Sequence, residues 1–346
     1  MTHPSDDRYA RQVQFPAIGA EGQQRLSHSQ VAILGCGALG SVAAEILARA
    51  GVGHLKLIDR DVVEWTNLQR QALYDEHDAN ESRPKSQASC ERLAAINSSI
   101  QLEPIVADLV ADNIRAILQG VDLVVDAADN FSLRFLLNDW SLSTVTPWVH
   151  GGCVGATGQV RLFTGRGKPC FRCLVPDPPA ATSVETCDTA GVIGSATHLI
   201  ASIQAGEAIK WLSGNQNAVR QSMLSIDLWK NRIRELNVED FITGDCPACD
   251  RHTWEFLAGD RGQSADGILC GRNAVQISQL TAETIDLDKI AARWEDVGRV
   301  QANPFFVRLF PDDQRSVTLF RDGRVIVTGT TDISEARGLY ARFVGG

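Results

Sequence analysis

Short apolar runs alternate with amphipathic stretches over the first two-thirds of the chain. QVAILG (residues 30–35) predicts a buried strand, SVAAEILARAGVG carries helix-spaced apolar positions after a glycine-rich turn ending at Gly40, and HLKLID (54–59) predicts the next strand. This is a β-α-β unit. A helical pattern at 87–96, strands at 100–107, 121–127 and 160–163, and an apolar helix at 196–214 continue the alternation. The fold class expected is therefore α/β, with a doubly wound, mainly parallel Rossmann-like sheet. Residues 174–186, LVPDPPAATSVET, are rich in proline and small polar residues and predict a mobile crossing loop.

The pattern changes near the C-terminus. GDRGQSADG (259–267) reads as a linker, separating a domain at 1–258 from a small α+β domain at 268–346. In the small domain the patterns predict a strand at 268–278, a helix at 287–297, strands at 305–310, 316–320 and 324–329, and a closing helix at 334–344. The final residues, Gly345 and Gly346, read as a frayed terminus.

Charge narrows the partners. The chain has 33 basic against 42 acidic side chains in 346 residues, a net charge of -9, which disfavours nucleic acid and anionic membranes. A protein or metabolite partner is expected. MTHPSDDRYARQ has no apolar core or cleavage site, and no run is long enough to span a bilayer, which predicts a cytoplasmic protein.

GCGALG places Gly35, Gly37 and Gly40 in a G-x-G-x-x-G turn between strand and helix, where backbone amides can approach phosphate. Asp59 ends the second strand, where a carboxylate can accept ribose hydroxyls. These features predict an adenine nucleotide and leave ATP and NAD open. ATP carries more charge to neutralise during attack on phosphorus, so extra cations would distinguish it. Asp61, Asn67, Arg70 and Gln71 follow Asp59 closely, then Lys85, while Asp129 and Asn130 follow the strand at 121–127. A carboxylate at a strand end can hold Mg2+, which makes Asp129 the candidate ligand. The competing reading makes Arg70 and Lys85 solvated surface charges and Asp129 a turn residue.

Nine cysteines, an odd number, with no export signal argue against a disulfide framework. Cys170–Cys173 and Cys246–Cys249 form two C-x-x-C pairs that can present four thiolates to a tetrahedral, structural Zn2+; a redox pair is the alternative. Cys187 precedes an expected helix start, where thiolate is favoured. Cys36, Cys90, Cys153 and Cys270 read as small apolar core residues.

The ordered set RYARQ, GCGALG, DRDVVEWTNLQRQ, RPKSQA, DAADNF, GQVRLF, CFRC, TCDTAGVIG and CPAC, across residues 8–250, resembles the ThiF/MoeB/HesA family, relatives of ubiquitin-activating enzymes. One departure is Ala38, where many relatives have a second glycine. The resemblance implies ATP- and Mg2+-dependent adenylylation of the C-terminal carboxylate of a small Gly-Gly-ended sulfur-carrier or ubiquitin-like protein. Asp59 would bind ribose, Asn67, Arg70, Gln71 and Lys85 the phosphates, and Asp129 the Mg2+. Arg11 would reach the neighbouring subunit's ATP, making the enzyme a homodimer. Cys187 matches the cysteine that links covalently to the carrier in some members. The carriers serve thiamin (thiazole) or molybdopterin synthesis, with the thiazole branch preferred here. The last eighty residues lack the C-x-x-G-x-R loop of sulfur-delivering rhodanese domains, so a separate sulfur donor is expected. An activating enzyme for bacterial ubiquitin-like conjugation, which would depend on Cys187, an NAD-dependent oxidoreductase and a catalytically silent binding module remain the alternatives.

Overall fold

The computed structural model describes residues 8–179, 190–261, 266–269, 273–278, 285–321 and 323–345. Cys187 and Cys270 lie outside them, as does much of the expected crossing loop. The chain divides into two compact units, Met1–Arg261 and Gly262–Gly346.

The first unit is built on eight strands: β1 Gln30–Leu34, β2 His54–Ile58, β3 Gln101–Ile105, β4 Leu123–Asp126, β5 Trp148–Val154, β6 Thr157–Phe163, β7 Met223–Asp227 and β8 Arg232–Leu236. They lie in the order β3-β2-β1-β4-β5-β6-β7-β8. Strands β3 to β5 of that order run parallel, and β6, β7 and β8 join antiparallel. Alternating side chains feed opposite faces, as the period of a strand requires. Val31 and Ile33 of β1 join the core beneath the helices Gly40–Ala50, Lys85–Ile96 and Gly194–Leu212, whereas Ala32 and Leu34 join the core beneath Phe131–Thr144.

The register decides where a ligand can sit. Leu34 lies beside Ile58 on one side and Asp126 on the other, and Ile58 lies beside Ile105. The residues that follow these strands therefore share one edge of the sheet. Strand order reverses between β1 and β4, and crevices at such switch points are where doubly wound sheets bind ligands.

Several elements depart from the expectation. Strands β5, β7 and β8 and the helix Phe131–Thr144 are additions, and β6 starts three residues before the predicted position. Asn130 caps that helix, accepting the Leu133 N–H at 2.8 Å.

Asp139 in the same helix is fully buried: one carboxyl oxygen accepts the Phe256 N–H at 3.0 Å and the other has no partner. Burial pushes this carboxyl up to about 6, so the folded chain holds its proton where the unfolded chain has lost it. Stability from this group is then present at low pH and falls as pH rises from about 4 to about 6. Asp139→Asn removes that dependence. In urea unfolding, the stability of the variant relative to wild type should grow by about 1–3 kcal/mol between pH 4.5 and 7.5. A difference that stays constant across that interval contradicts the assignment.

The second unit is a six-stranded antiparallel sheet in the order β11-β12-β13-β14-β10-β9, formed by β9 Asp266–Leu269, β10 Ala274–Ser278, β11 Arg299–Ala302, β12 Phe306–Phe310, β13 Ser316–Phe320 and β14 Arg324–Thr328. The single strand expected at 268–278 is thus two, and β11 is an addition. Helices Leu287–Glu295 and Ile333–Phe343 bury Leu287, Trp294, Ala336, Leu339 and Phe343 against Val307, Leu309, Val317, Leu319, Val325 and Val327. The Trp294 indole N–H donates to the Phe343 carbonyl at 2.9 Å, joining the two helices. Asp286 and Asp332 cap them.

Candidate nucleotide and metal sites

The glycine turn leaves β1 and opens the helix Gly40–Ala50. Gly35 has φ +88°, and a Cβ there would meet the Ala127 carbonyl at 2.7 Å; one at Gly40 would lie 1.8 Å from the Gly35 carbonyl. Packing alone demands these two. Gly37 differs, because a Cβ there would meet only the Gln71 amide nitrogen, at 3.8 Å. Its missing side chain leaves space over the helix N-terminus, whose partial positive charge favours an anion.

Asp59 closes this turn. One carboxylate oxygen accepts the Cys36 N–H and the other the Asp61 N–H, each at 2.7 Å, which fixes the side chain at the turn's rim. Burial pushes its carboxyl up, opposed by nearby Lys85 and by the two amides. Cys36 is buried and its thiol pushed well up by that burial, while Cys90 is pushed up to about 12 by burial; neither is a nucleophile.

Lys85 opens the helix Lys85–Ile96 and is only 4% exposed, so it is no solvated surface charge. Its amine lies 3.6 Å from Asp61, and its backbone N–H donates to the Asp61 carbonyl at 2.9 Å. A buried ammonium is costly without a counter-charge, and Asp61 supplies one here. Asn67 is buried, and its side-chain oxygen accepts the Glu64 N–H at 3.0 Å. Arg70 is half-buried and donates to the Thr66 carbonyl at 2.7 Å. Gln71 is buried with its side-chain oxygen unpartnered, beside Gly37. That orphaned acceptor and the open space at Gly37 fit a hydrogen-bonding ligand over the turn. Gly194, at the start of the long helix, abuts the backbone of Gln69 and Arg70 and brings a further helix N-terminus to this loop.

Asp129 is exposed just after β4, on the shared strand edge, whereas Asn130 is engaged as a helix cap. Two groups of residues escaped the sequence reading. Arg60 binds both oxygens of Asp108, at 2.9 and 3.1 Å, and approaches Asp61 at 3.8 Å. Asp126 is fully buried, and one of its oxygens meets Arg134 at 3.2 Å and His150 at 2.8 Å. Burial alone would raise the Asp126 carboxyl, but Arg134 and His150 outweigh it and bring it down; burial lowers His150, opposed by its hydrogen bond to Asp126. A carboxylate ending the apolar run VDLVVDA was a usable signal, because a buried charge needs a partner.

Arg11 is not at this chain's own turn. Gln12 donates to the Ala50 carbonyl at 2.9 Å, Arg8 to the Ile96 carbonyl at 2.9 Å, and Tyr9 fills the space above Gly51. The lead-in is thus clamped at the C-terminal ends of the helices whose N-termini face the crevice. Eleven residues of helix separate the two ends, about 16 Å at 1.5 Å per residue. Arg11 is exposed and contacts only Gln14 among the hydrogen bonds of the described residues.

Cys170, Cys173, Cys246 and Cys249 converge, with all four sulfurs within 4.8 Å of one another. Separations of 3.9, 3.7 and 3.5 Å bracket the ~3.8 Å edge of a tetrahedron with metal–sulfur bonds of ~2.3 Å, and exceed the ~2.05 Å of a disulfide. The thiols hydrogen-bond to one another: the bond from Cys170 brings Cys173 down to about 5, while burial and its neighbours push Cys249 up to about 12. Four thiolates together require a cation. The donor set fits zinc.

Residues 9–248 match the description "ThiF family". The chain belongs to the ThiF family. It is 39% identical to a sulfur carrier protein ThiS adenylyltransferase of Bacillus subtilis, covering 98% of this chain and 99% of that protein. It is 38% identical to a sulfur carrier protein adenylyltransferase of Thermus thermophilus, over 70% of this chain and 90% of that protein. A crystal structure of E. coli MccB with ATP shares the fold, with a TM-score of 0.58 and 24% identity over 70% of this chain and 73% of that one. The ThiF-family domain thus spans the first unit, and the likeness to the Bacillus protein extends through the second. Among the described residues no helix is long and apolar enough to cross a membrane.

Proposed function

We propose that this ThiF-family chain is an enzyme that uses ATP to adenylylate the terminal carboxylate of a small Gly-Gly-ended sulfur-carrier protein of the ThiS type, in the cytoplasm. The observation that carries the reading is buried Lys85, held by Asp61 at the rim of a glycine turn whose middle glycine is left open. An NAD enzyme has no use for that cation. Likeness along almost the whole of a ThiS adenylyltransferase, second unit included, favours the thiazole branch over molybdopterin synthesis. A protein as carboxylate donor is supported by β8, exposed at every position, with Ile233 and Leu236 on it and Trp229 in the preceding turn.

In this reading the carrier's carboxylate, already ionised, attacks the α-phosphorus of ATP; the bond to the β-phosphate oxygen breaks, leaving acyl-adenylate and pyrophosphate. Asp59 orients the ribose, and Gly35, Gly37 and Gly40 admit the phosphates to the helix amides. Lys85, Arg70, Asn67 and Gln71 bind them, and Asp61 holds Lys85. Asp129 would hold Mg2+, which supplies charge neutralisation on the phosphates when bound. The four cysteines would hold a structural Zn2+ with no open position. Cys187 is the candidate for a covalent link to the carrier, its thiolate attacking the acyl-adenylate carbonyl to form a thioester as the bond to AMP breaks, and sulfur arrives from a separate donor.

Arg11 acts in trans within a homodimer, a reading supported by its anchorage at the far end of its own helices. Mixing Arg11→Ala with Lys85→Ala subunits tests this. With the arginine supplied across the dimer, one site in each mixed dimer is whole, so random exchange of subunits restores about a quarter of wild-type activity. Arginine supplied within one chain gives no recovery.

A further inference from the structure

The turn that carries Asp129 is fixed by buried charged and polar groups that hold its backbone and Asp126. Ala127 donates its N–H to the Leu34 carbonyl at 2.9 Å, and its own carbonyl is what Gly35 must accommodate. The Ala128 N–H donates to Asp126 at 3.0 Å, and Arg134 reaches back to donate to the Ala128 carbonyl at 2.7 Å while it also holds Asp126. His150 donates to the same Asp126 oxygen, and its ring packs 5.6 Å from Phe171, which lies between two of the clustered cysteines. Gln204 donates to the Asp126 and Val149 carbonyls at 2.6 and 2.9 Å, and its amide occupies the space that a side chain at Gly151 would need.

We propose that Arg134 and His150 are positioning residues, which through Asp126 and the Ala128 carbonyl set the place of Asp129 and hence the strength with which the site takes Mg2+. The proposal rests on the reading of Asp129 as a magnesium ligand. Asp129 has buried, hydrogen-bonded backbone behind it and a capped helix after it, so it leaves the fold at a point determined on both sides. Partners that orient a metal-binding carboxylate commonly account for ten- to a hundredfold in metal affinity. Arg134 does more than neutralise Asp126, since one guanidinium spans the carboxylate and the turn carbonyl; a lysine keeps the charge and cannot make both contacts.

The test compares Arg134→Lys, His150→Phe and Asp129→Asn in full-length protein that retains its circular dichroism and clustered metal. Two quantities are read: the Mg2+ concentration giving half-maximal ATP–pyrophosphate exchange at saturating ATP, and amide hydrogen exchange of a peptide spanning residues 124–131. The expected result is a Mg2+ midpoint raised about tenfold in Arg134→Lys and in His150→Phe, with faster amide exchange at 124–131. His150→Phe preserves the ring packing, so a shift in it reports the lost hydrogen bond. Wild-type midpoints in both variants, with a raised midpoint in Asp129→Asn, overturn the positioning role alone. A wild-type midpoint in Asp129→Asn as well overturns the magnesium reading and this proposal together.

Discussion

Replacing Lys85 with alanine is expected to lower carrier-dependent ATP–pyrophosphate exchange by about 10²–10³-fold, the usual cost of removing one group aimed at developing charge. Burial makes the effect large, because an ammonium at 4% exposure acts through a medium that screens it weakly. The fold should survive. Asp61, deprived of Lys85, still has Arg60 at 3.8 Å. Arg70→Ala is the cleaner comparison, since Arg70 is half-buried and its guanidinium donates to the Thr66 carbonyl, four residues back. It should lose exchange to a similar degree with a melting temperature near that of wild type. Full activity in either variant removes the corresponding residue from the phosphate site.

The second large effect concerns the cysteine cluster. Cys170 and Cys173 follow β6, and Cys246 and Cys249 lie beyond β8, so a shared ion closes a loop of more than seventy residues. Chelation, or Cys246→Ser, should destabilise the first unit by on the order of 5 kcal/mol, visible as a fall in melting temperature of on the order of 10–20 °C. Zinc measured at one ion per chain, with the fall in Cys246→Ser, is the outcome expected. A variant that melts with wild type, or protein purified with less than a tenth of an ion per chain at full stability, contradicts a structural zinc.

Much of this was readable in advance because it rests on local rules. The β-α-β unit at 30–59 shows strand and helix periods with the required glycines between them, and the structure needs Gly35 and Gly40 for backbone approach. The C-x-x-C pairs declared a shared site that the fold brings within metal-binding distance. Other elements gave no such signal. β5 contains His150, Gly151 and Gly152, poor strand residues by propensity, and Gly151 is present because Gln204 takes its space. β8 is exposed on both faces and therefore shows no alternation. The helix Phe131–Thr144 buries every residue from Arg134 to Ser141, polar ones included, so its apolar stripe vanishes. The network beneath Asp129 joins three consecutive elements to the helix Gly194–Leu212, which is distant in sequence, and only folding shows that Asp126 has Arg134, His150 and Gln204 as its company.

Adenylylation of a carrier is the claim on which these roles depend. The direct measurement is ATP–pyrophosphate exchange by the purified chain with Mg2+ and a panel of small Gly-Gly-ended proteins, each also tested with its last glycine removed. Exchange that appears with a ThiS-type carrier and disappears with the truncated form is the result predicted. Zinc-loaded protein that binds ATP and shows no exchange with any carrier in the panel would contradict the account.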